Sequence, residues 1–410
     1  MTEIEGGITA PYGFKASGVH CGIKKNNLDL ALIFSEFPAL AAGMFTTNKV
    51  KAAPVVVSQK KIRQGWARSI VANSGNANAC TGKKGIENAV KMCEIAANQL
   101  GISSQEVLVA STGVIGEQLP MEKVEEGIKM AVRSLSLQGS HIAAKAIITT
   151  DKKIKEIAVE TDISGQGKKK VKIGGIAKGS GMISPNLATM LCFITTDACI
   201  TPDALNQALQ RAVNKSFNQI SVDGDMSTND TVIILANGKA GNKRIKTWRK
   251  KPTLRVKDEN FEIFCENLDY LCIKLAKSIV KDGEGVTKMF EVKVEGAPFP
   301  DDARRIARKV ASSNLVKTAI AGASPNWGRI MAALGSAHTR IKPEKVDILI
   351  EDMLVVEKGQ SAQASLQNLR EKLLKDEVRI IIRLNQGSCQ TTFWGCDLTE
   401  KYVKINKRYV

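Results

Sequence analysis

Apolar and polar residues follow one another along this chain in two rhythms. Residues 86–100 place Ala89, Met92, Cys93 and Ala96 three or four apart, which gathers side chains on one face of a helix. Met121, Val124, Ile128 and Ala131 repeat that spacing. Pro120 sits where this second helix would begin, because a first turn has no use for the N–H that proline lacks. Leu366, Leu369 and Leu373 mark a later amphipathic helix. Shorter apolar runs at 28–34, 69–71, 192–194, 231–236 and 378–384 predict strands. Residues 157–163 and 171–176 flank SGQGKKK and predict a β-hairpin. No regular βαβ alternation, internal repeat or low-complexity linker is visible. The expected fold class is therefore α+β, in layers of helix and sheet.

Length and composition narrow the picture. A chain of 410 residues carries two or three domains' worth of core, or two intertwined halves. Hydrophobic residues make up 43% and charged residues 24%, as in ordinary soluble proteins. The first residues carry Glu3 and Glu5 and no apolar core of a signal peptide. No run of about 18 apolar residues predicts a membrane span. The expectation is a cytoplasmic protein without a membrane partner. The nine cysteines are odd in number and lack CxxC spacing, which disfavours a disulfide framework or a zinc site. With only His20, His141 and His338, histidine-based acid–base or metal chemistry has little to draw on.

The formal net charge of +18 would suit nucleic acid or acidic substrates. The lysines, however, are spread along the whole chain, and aromatic residues do not interleave with them as base stacking would need. The densest run, KRIKTWRKK at 243–251, reads as one basic loop. A solvated surface and no nucleic-acid partner are expected. A basic, non-enzymatic nucleic-acid-binding protein is the rival reading, carried by net charge alone.

The candidate chemistry centres on residues 178–198, KGSGMISPNLATMLCFITTDA. A glycine-rich turn, Gly179-Ser180-Gly181, leads past Pro185 and Asn186 to small Ala188 and then Thr189, after which the chain turns apolar at once. Thr189 reads in two ways. It is an ordinary strand residue, or it is a nucleophile that attacks the carbonyl before it. In the second case the cut leaves a threonine whose free α-amine, with an ordinary pKa of about 7.7–8, can act as general base without histidine.

This segment resembles the cleavage-site motif KG-x-GM-x-x-P-x-x-ATML, followed by TTDA, of the arginine biosynthesis bifunctional protein family (glutamate N-acetyltransferase, or ornithine acetyltransferase). The resemblance implies that Thr189 is the nucleophile and also meets substrate, that the Ala188–Thr189 bond is cut, and that Lys178 binds substrate. A cation there suits a carboxylate; the competing reading is a solvated loop lysine. The halves would be an alpha chain, 1–188, holding the oxyanion hole and part of the substrate site, and a beta chain, 189–410, holding the nucleophile and the rest.

Further blocks are similar to the family's along nearly the whole chain. GFKASGVHCGIK at 13–24, AAGMFTTNKVKAAPV at 41–55 and the NSGNAN loop at 73–78 match its opening part. STGVIG at 111–116 resembles its STG-x-IG turn, which makes Thr112 and Gly113 the oxyanion hole. A hydroxyl and a backbone N–H are suitable donors to a tetrahedral oxyanion; the competing reading is a plain β-turn. AIITTD at 146–151 resembles a block with a substrate-binding threonine, either Thr149 or Thr150, since neighbours on a pleated strand face opposite ways.

The acidic stretch SVDGDMSTNDT at 221–231 resembles the DGD-x-STND block and reads as a structured loop near the active site. Its aspartates lack the closing Glu of an EF-hand, and no metal is expected. KDGEGVTK at 281–288 resembles DGEGATK and assigns Glu284 to a substrate amine; the C-terminal part likewise assigns Asn406 to substrate. VKTAIAGASPNWGR at 316–329 resembles VKTA…PNWGR, although Ser324 stands where the family has an acid. The family's terminal Ser/Thr contact has no clear counterpart here.

The resemblance implies a layered fold of the DmpA/ornithine acetyltransferase type, made of two chains by autoproteolysis and assembled as a heterotetramer of two alpha and two beta chains. The reaction would be ping-pong: acetyl moves from N2-acetylornithine to Thr189 and then to glutamate, with no cofactor and no metal. Some members also take acetyl from acetyl-CoA, and the residues leave that open. A related self-cleaving aminopeptidase or amidase, in which water removes the acyl group, is the alternative within the same fold.

Overall fold

The structure, a computed structural model, describes every residue except 164–168, 185–189, 251–254 and 408–410, and leaves out the side chains of 249–250 and 255–257. The tip of the expected hairpin, Pro185, Asn186, Lys251 and the proposed cleavage pair Ala188 and Thr189 thus lie outside the described residues. The chain divides into two units. One comprises Met1–Gly179, Asn186–Asn218 and Met226–Ile279; the other comprises Ser180–Pro185, Gln219–Asp225 and Val280–Val410.

In the first unit, strands β1 (Thr2–Ile4), β2 (Phe14–Val19), β3 (Leu30–Ser35), β4 (Leu40–Phe45), β5 (Ser69–Asn76), β6 (Val107–Val114), β7 (Lys155–Ile163), β8 (Lys169–Lys178), β9 (Leu191–Thr196) and β10 (Thr231–Ala236) build two sheets. One runs β1-β7-β8-β9-β10-β4 and the other β2-β3-β5-β6. Helices α1 (Ala53–Lys61), α2 (Gly82–Leu100), α3 (Met121–Arg133), α4 (Ser140–Ile147), α5 (Pro202–Lys215) and α6 (Glu259–Lys281) accompany them.

Met92, Ala96, Val124 and Ile128, the helical stripes expected from the spacing, bury against Leu30, Leu32, Val71 and Val109 on one face of the four-stranded sheet. Its other face packs Phe14, Ile33, Ile70 and Leu108 with Ala143 and Ile147 of α4 and with Phe193 and Leu235 of the six-stranded sheet. Beyond that sheet, Leu271 and Leu275 of α6 press on Gly175 so closely that a Cβ there would lie 3.0 and 3.2 Å from them. The layering is helix, sheet, sheet, helix. Each fully buried Leu, Ile or Phe contributes roughly 1.5–3 kcal/mol to holding the layers together.

The hairpin forms as expected: β7 and β8 pair antiparallel, with Ile157 opposite Gly175. Strands β9 and β10 are buried along their full length and run parallel, with Leu191 opposite Thr231. Unbroken apolar runs suit parallel strands covered on both faces. Two local βαβ steps occur within the α+β whole, β5–α2–β6 and β9–α5–β10.

The structure corrects several local expectations. Asn73 to Asn76 are not a loop but the end of β5, and Ser111 to Gly113 are not a turn but part of β6. Glycine and asparagine suggest turns in isolation, yet here a parallel partner supplies the backbone hydrogen bonds that keep them extended. The basic run is a loop only in part: Trp248–Lys250 pairs antiparallel with Arg255–Lys257.

In the second unit, β11 (Met289–Ala297), β12 (Asp347–Ile350), β13 (Met353–Glu357), β14 (Glu377–Arg383) and β15 (Cys389–Cys396) form the middle of a seven-stranded sheet in the order β15-β11-β14-β12-β13, with the short strands Ile220–Ser221 beside β15 and Gln360–Ser361 beside β13 at its edges. In β14, Val378, Ile380 and Ile382 are buried while Glu377, Arg379 and Arg383 are exposed, the period-2 alternation of a sheet with one face in the core. Helices α7 (Pro300–Ala311), α8 (Asn314–Ala321), α9 (Gly328–Gly335) and α10 (Leu366–Leu373) supply Ile306, Val310, Ile320, Leu334, Leu369 and Leu373 to that core. Helix α7 starts at Pro300, with Asp301 and Asp302 in its first turn and Arg308 and Lys309 in its last, charges that complement the helix dipole. Helix α11 (Glu400–Asn406) opens on Thr399, whose hydroxyl accepts the Lys401 N–H. All nine cysteines are free thiols. Among the described residues, no helix is long and apolar enough to cross a membrane.

Candidate active site

In the first unit the C-terminal ends of β5 and β6 lie side by side, with Ser74 opposite Thr112 and Gly75 opposite Gly113. Gly113 has φ +137°, and a Cβ on it would fall 2.2 Å from the Gly75 carbonyl carbon and 2.4 Å from the Asn76 nitrogen. No side chain fits there, so the close backbone approach requires glycine. Buried amides and hydroxyls hold these strand ends. The Ser111 hydroxyl donates to Asn73 Oδ1 at 2.5 Å, and the Ser74 hydroxyl donates to the Ala146 carbonyl at 2.5 Å. Asn229, from the acidic loop, donates to the carbonyls of Ser111 at 2.8 Å and Ala77 at 2.6 Å.

Lys178 closes β8 and is 2% exposed, which removes the solvated-loop reading. Its ammonium donates to Thr149 Oγ1 at 2.8 Å and to Thr112 Oγ1 at 3.3 Å, and lies 3.9 Å from Asp151 Oδ2. Residues from two distant segments, Thr112 on one side and Thr149 with Asp151 on the other, thus meet at one buried cation. Thr149 and Thr150 are not on a strand, as expected, but in a bend after α4; of the two, Thr149 touches Lys178. The strand argument failed because α4 ends at Ile147 and the chain turns before β7.

Asp151 forms the floor. It accepts Lys155 Nζ at 2.7 Å, the Gly179 N–H at 2.7 Å and the Thr149 N–H at 3.1 Å. Burial pushes its carboxyl upward, but Lys178, Lys155 and the Gly179 N–H outweigh burial and hold it at about 2. Lys24 lies nearby and donates to the carbonyls of Ile148 at 2.5 Å and Leu28 at 3.0 Å. Burial, with the Lys178 charge adding to it against Asp29 and Asp151, lowers the Lys24 ammonium to about 8. Among the described residues, the ammonium groups of Lys24, Lys155 and Lys178 thus gather around the carboxylates of Asp29 and Asp151.

Where β9 begins, Asp230 accepts the Met190 N–H at 3.0 Å on Oδ1. Its side chain is fully buried, and burial pushes the carboxyl well above the usual carboxylate range.

The second unit carries the other expected residues. Glu284 is 8% exposed, its N–H donates to the Ser180 carbonyl at 2.9 Å, and Oε2 accepts Asn406 Nδ2 at 2.8 Å. The pairing of Glu284 with Asn406 joins two residues widely separated in sequence. A Cβ on Gly181 would lie 2.7–2.8 Å from the Glu284 carboxyl group, so glycine leaves the carboxylate its space. Asp223 accepts the N–H groups of Met182 and, at 2.8 Å, Ile183. Tyr402 of α11 is raised above the usual phenol range by burial and by the charges of Asp223 and Glu284.

The structure therefore brings Thr112, Gly113, Thr149 and Lys178 together in the first unit and Glu284 with Asn406 in the second. Asp151, Lys155, Asn229, Asp223 and Asp230 were not singled out as site residues from the sequence. A usable signal existed: each of the aspartates and Asn229 lies inside a motif block, Asp151 beside the chosen Thr150 and the others in the acidic stretch read as a loop near the active site. Among the described residues, no group of acidic, cysteine or histidine side chains is placed to hold a metal ion.

A sequence profile of the ArgJ family matches residues 15–410. The chain belongs to the ArgJ family. The arginine biosynthesis bifunctional protein ArgJ of Caldanaerobacter subterraneus subsp. tengcongensis is 48% identical over 414 residues and covers 100% of both chains. Its counterpart from Thermotoga neapolitana is 49% identical over 405 residues, 97% of this chain and 99% of the relative. Among solved structures, an ArgJ from Bacillus halodurans is 42% identical, covering 45% of this chain and 96% of that one with a TM-score of 0.42. An ornithine acetyltransferase from Mycobacterium tuberculosis, complexed with ornithine, is 41% identical, covering 46% and 99% with a TM-score of 0.41. The ArgJ motifs identified in the sequence thus sit in a chain that is related to this family over nearly its whole length.

Proposed function

We propose that this protein is a self-processing glutamate N-acetyltransferase of arginine biosynthesis. Thr189 Oγ attacks the Ala188 carbonyl, the C–N bond breaks, and the hydroxyl proton ends on the departing nitrogen. Water then hydrolyses the ester, leaving the Ala188 carboxylate on residues 1–188 and a free α-amine on residues 189–410. In turnover, Thr189 Oγ takes acetyl from N2-acetylornithine and ornithine leaves. Glutamate then takes the acetyl, giving N-acetylglutamate. In each half the α-amine takes a proton from the attacking group, first the Thr189 hydroxyl and then the glutamate amine, and hands it to the leaving one, first the ornithine nitrogen and then Thr189 Oγ. Thr112 and the Gly113 N–H stabilise the oxyanion, Lys178 meets the substrate carboxylate, Glu284 with Asn406 meets its amine, and Thr149 rather than Thr150 contributes the threonine contact.

The observation that carries this reading is the buried Lys178 ammonium, hydrogen-bonded to Thr112 and Thr149 at the head of the segment that leads to Thr189. The names of relatives 44–49% identical over at least 97% of this chain support the pathway. No cofactor or metal enters this chemistry. Because those relatives are called bifunctional, we extend the proposal to acetyl-CoA as a second donor. A cytoplasmic heterotetramer of two alpha and two beta chains completes the reading.

Intact mass of the purified protein tests the first step: two fragments, with Thr189 at a new N-terminus, are expected. An intact and active 44.3 kDa chain would rule the mechanism out. Thiol release from acetyl-CoA with glutamate, in the absence of N2-acetylornithine, tests the second donor. Native mass spectrometry tests the assembly.

A further inference from the structure

We infer that Lys24 is a positioning residue: its ammonium caps the end of α4 at the Ile148 carbonyl and so fixes the bend that sets Thr149 against Lys178. This rests on the reading of Lys178 and Thr149 as substrate contacts. The last carbonyls of a helix have no partner within it. At the end of α4, two side chains from elsewhere in the chain take that place. The Ser74 hydroxyl donates to the Ala146 carbonyl at 2.5 Å, and the Lys24 ammonium donates to the Ile148 carbonyl at 2.5 Å. A cation suits this end of a helix, where the dipole is negative. Lys24 is fixed along its whole length. At its root, the fully buried Asp29 carboxylate accepts the backbone N–H groups of Cys21 at 2.7 Å, Gly22 at 3.1 Å and Lys24 itself at 3.0 Å. Its stem crosses Gly75 at the end of β5, where a Cβ would lie 2.9 Å from Lys24 Cγ. Its ammonium also donates to the Leu28 carbonyl at 3.0 Å.

Within the bend, Asp151 and Thr149 are held in different ways. Asp151 is fixed without Lys24, by Lys155 Nζ and the Gly179 N–H, each at 2.7 Å. Thr149 depends on the peptide unit that precedes it. The Ile148 carbonyl and the Thr149 N–H belong to that one planar unit. Lys24 holds its oxygen at 2.5 Å, and Asp151 Oδ2 accepts its N–H at 3.1 Å. The plane is thus gripped from both sides, and the Thr149 hydroxyl that follows accepts Lys178 Nζ at 2.8 Å. Without the ammonium of Lys24, the plane is free to turn about the Asp151 contact and carries the Thr149 hydroxyl away from Lys178.

A double-mutant cycle on the full chain tests this, with processing confirmed by intact mass. Lys24→Met keeps the stem over Gly75 and removes the ammonium; Thr149→Val removes the hydroxyl that Lys178 reaches. Lys24→Met alone is expected to raise KM for glutamate and for N2-acetylornithine by about tenfold, with kcat falling by less. In the Thr149→Val background the same change is expected to add less than about twofold, because the group it positions is already gone. Where transfer is too slow to follow, the Kd of ornithine by calorimetry replaces KM in the cycle. An equal rise in both backgrounds overturns the inference, since Lys24 would then act without Thr149. So does a loss of unfolding stability with KM unchanged, and so does a folded Lys24→Met that stays uncut. If Lys24→Met fails to fold, Lys24→Gln, polar but one bond shorter, takes its place. Failure of both to fold overturns the inference, because Lys24 would then hold the unit and not the bend. A Thr149→Val change that by itself leaves KM at the wild-type value is a separate failure, that of the Thr149 contact in the proposed function, and takes the role of Lys24 with it.

Discussion

The floor beneath Lys178 and the strand junction at Met190 each bury an aspartate side chain, and the two behave in opposite ways. Asp151 accepts two backbone N–H groups and an ammonium, with a second ammonium close by, and its carboxyl is held at about 2. Among the described residues, Asp230 accepts one backbone N–H and holds no ion pair, and burial pushes its carboxyl upward. Burial alone raises both; the supply of cations and N–H donors decides the sign. A carboxylate with all its partners is a fixed element of structure.

The largest expected effect comes from removing the proposed nucleophile. Thr189→Ala should leave an uncut 44.3 kDa chain on a denaturing gel and lower acetyl transfer by at least about 10³-fold, since neither a hydroxyl nucleophile nor a new amine forms. Processing or transfer at the wild-type level in this variant would break the assigned chemistry.

Next is the floor. Asp151→Asn deprives the buried ammoniums of Lys155 and Lys178 of their carboxylate, and should cost about 3–5 kcal/mol in denaturant unfolding. A loss below about 1 kcal/mol would mean that water or neighbouring carbonyls solvate those lysines instead.

Lys178→Met leaves Asp151 paired with Lys155 but removes the partner of a substrate carboxylate, worth about 1.5–3 kcal/mol. KM for glutamate and for N2-acetylornithine should rise together in processed protein. Transfer of labelled acetyl from N2-acetylornithine also compares acceptors: free acetate formed at the same rate with and without glutamate would make the enzyme a hydrolase.

The smallest effect is in acid. The depressed Asp151 carboxyl contributes stability that is present above its unfolded value of about 3.8 and is lost as pH falls toward about 2. The loss should approach roughly 2 kcal/mol across that window, and Asp151→Asn should abolish this part of the acid transition. Asp230 has the opposite sign: its contribution is present at low pH and is lost as pH rises through its elevated folded value.

Much of the framework was legible from the residues. Helical stripes at Met92 and Met121, the hairpin around SGQGKKK, and the buried runs at Cys192 and Thr231 all lie where their spacing places them. The family motifs likewise singled out Thr112, Gly113, Thr149 and Lys178, which meet in one unit, and Glu284 and Asn406, which meet in the other. The errors had a common cause. NSGNAN and STG read as turns because their composition favours turns, whereas the β5–β6 ladder makes them strand ends and needs Gly113 for its close approach. Thr149 was read on a strand because nothing local announces the bend after Ile147.

By itself, then, the order of residues determined the periodic elements, the fold class and the list of candidate groups, because these depend on spacing and on chemistry carried in short segments. Tertiary structure alone decided the state of each group. Lys178 is a buried cation and not a solvated one because Thr112, and Thr149 with Asp151, arrive from two other places in the chain. Asp151 and Asp230 are chemically the same residue, and only the number of donors folded around each separates a low carboxyl from a raised one. Desolvation and charge pairing act through space over a few ångströms, and sequence separation does not encode that distance.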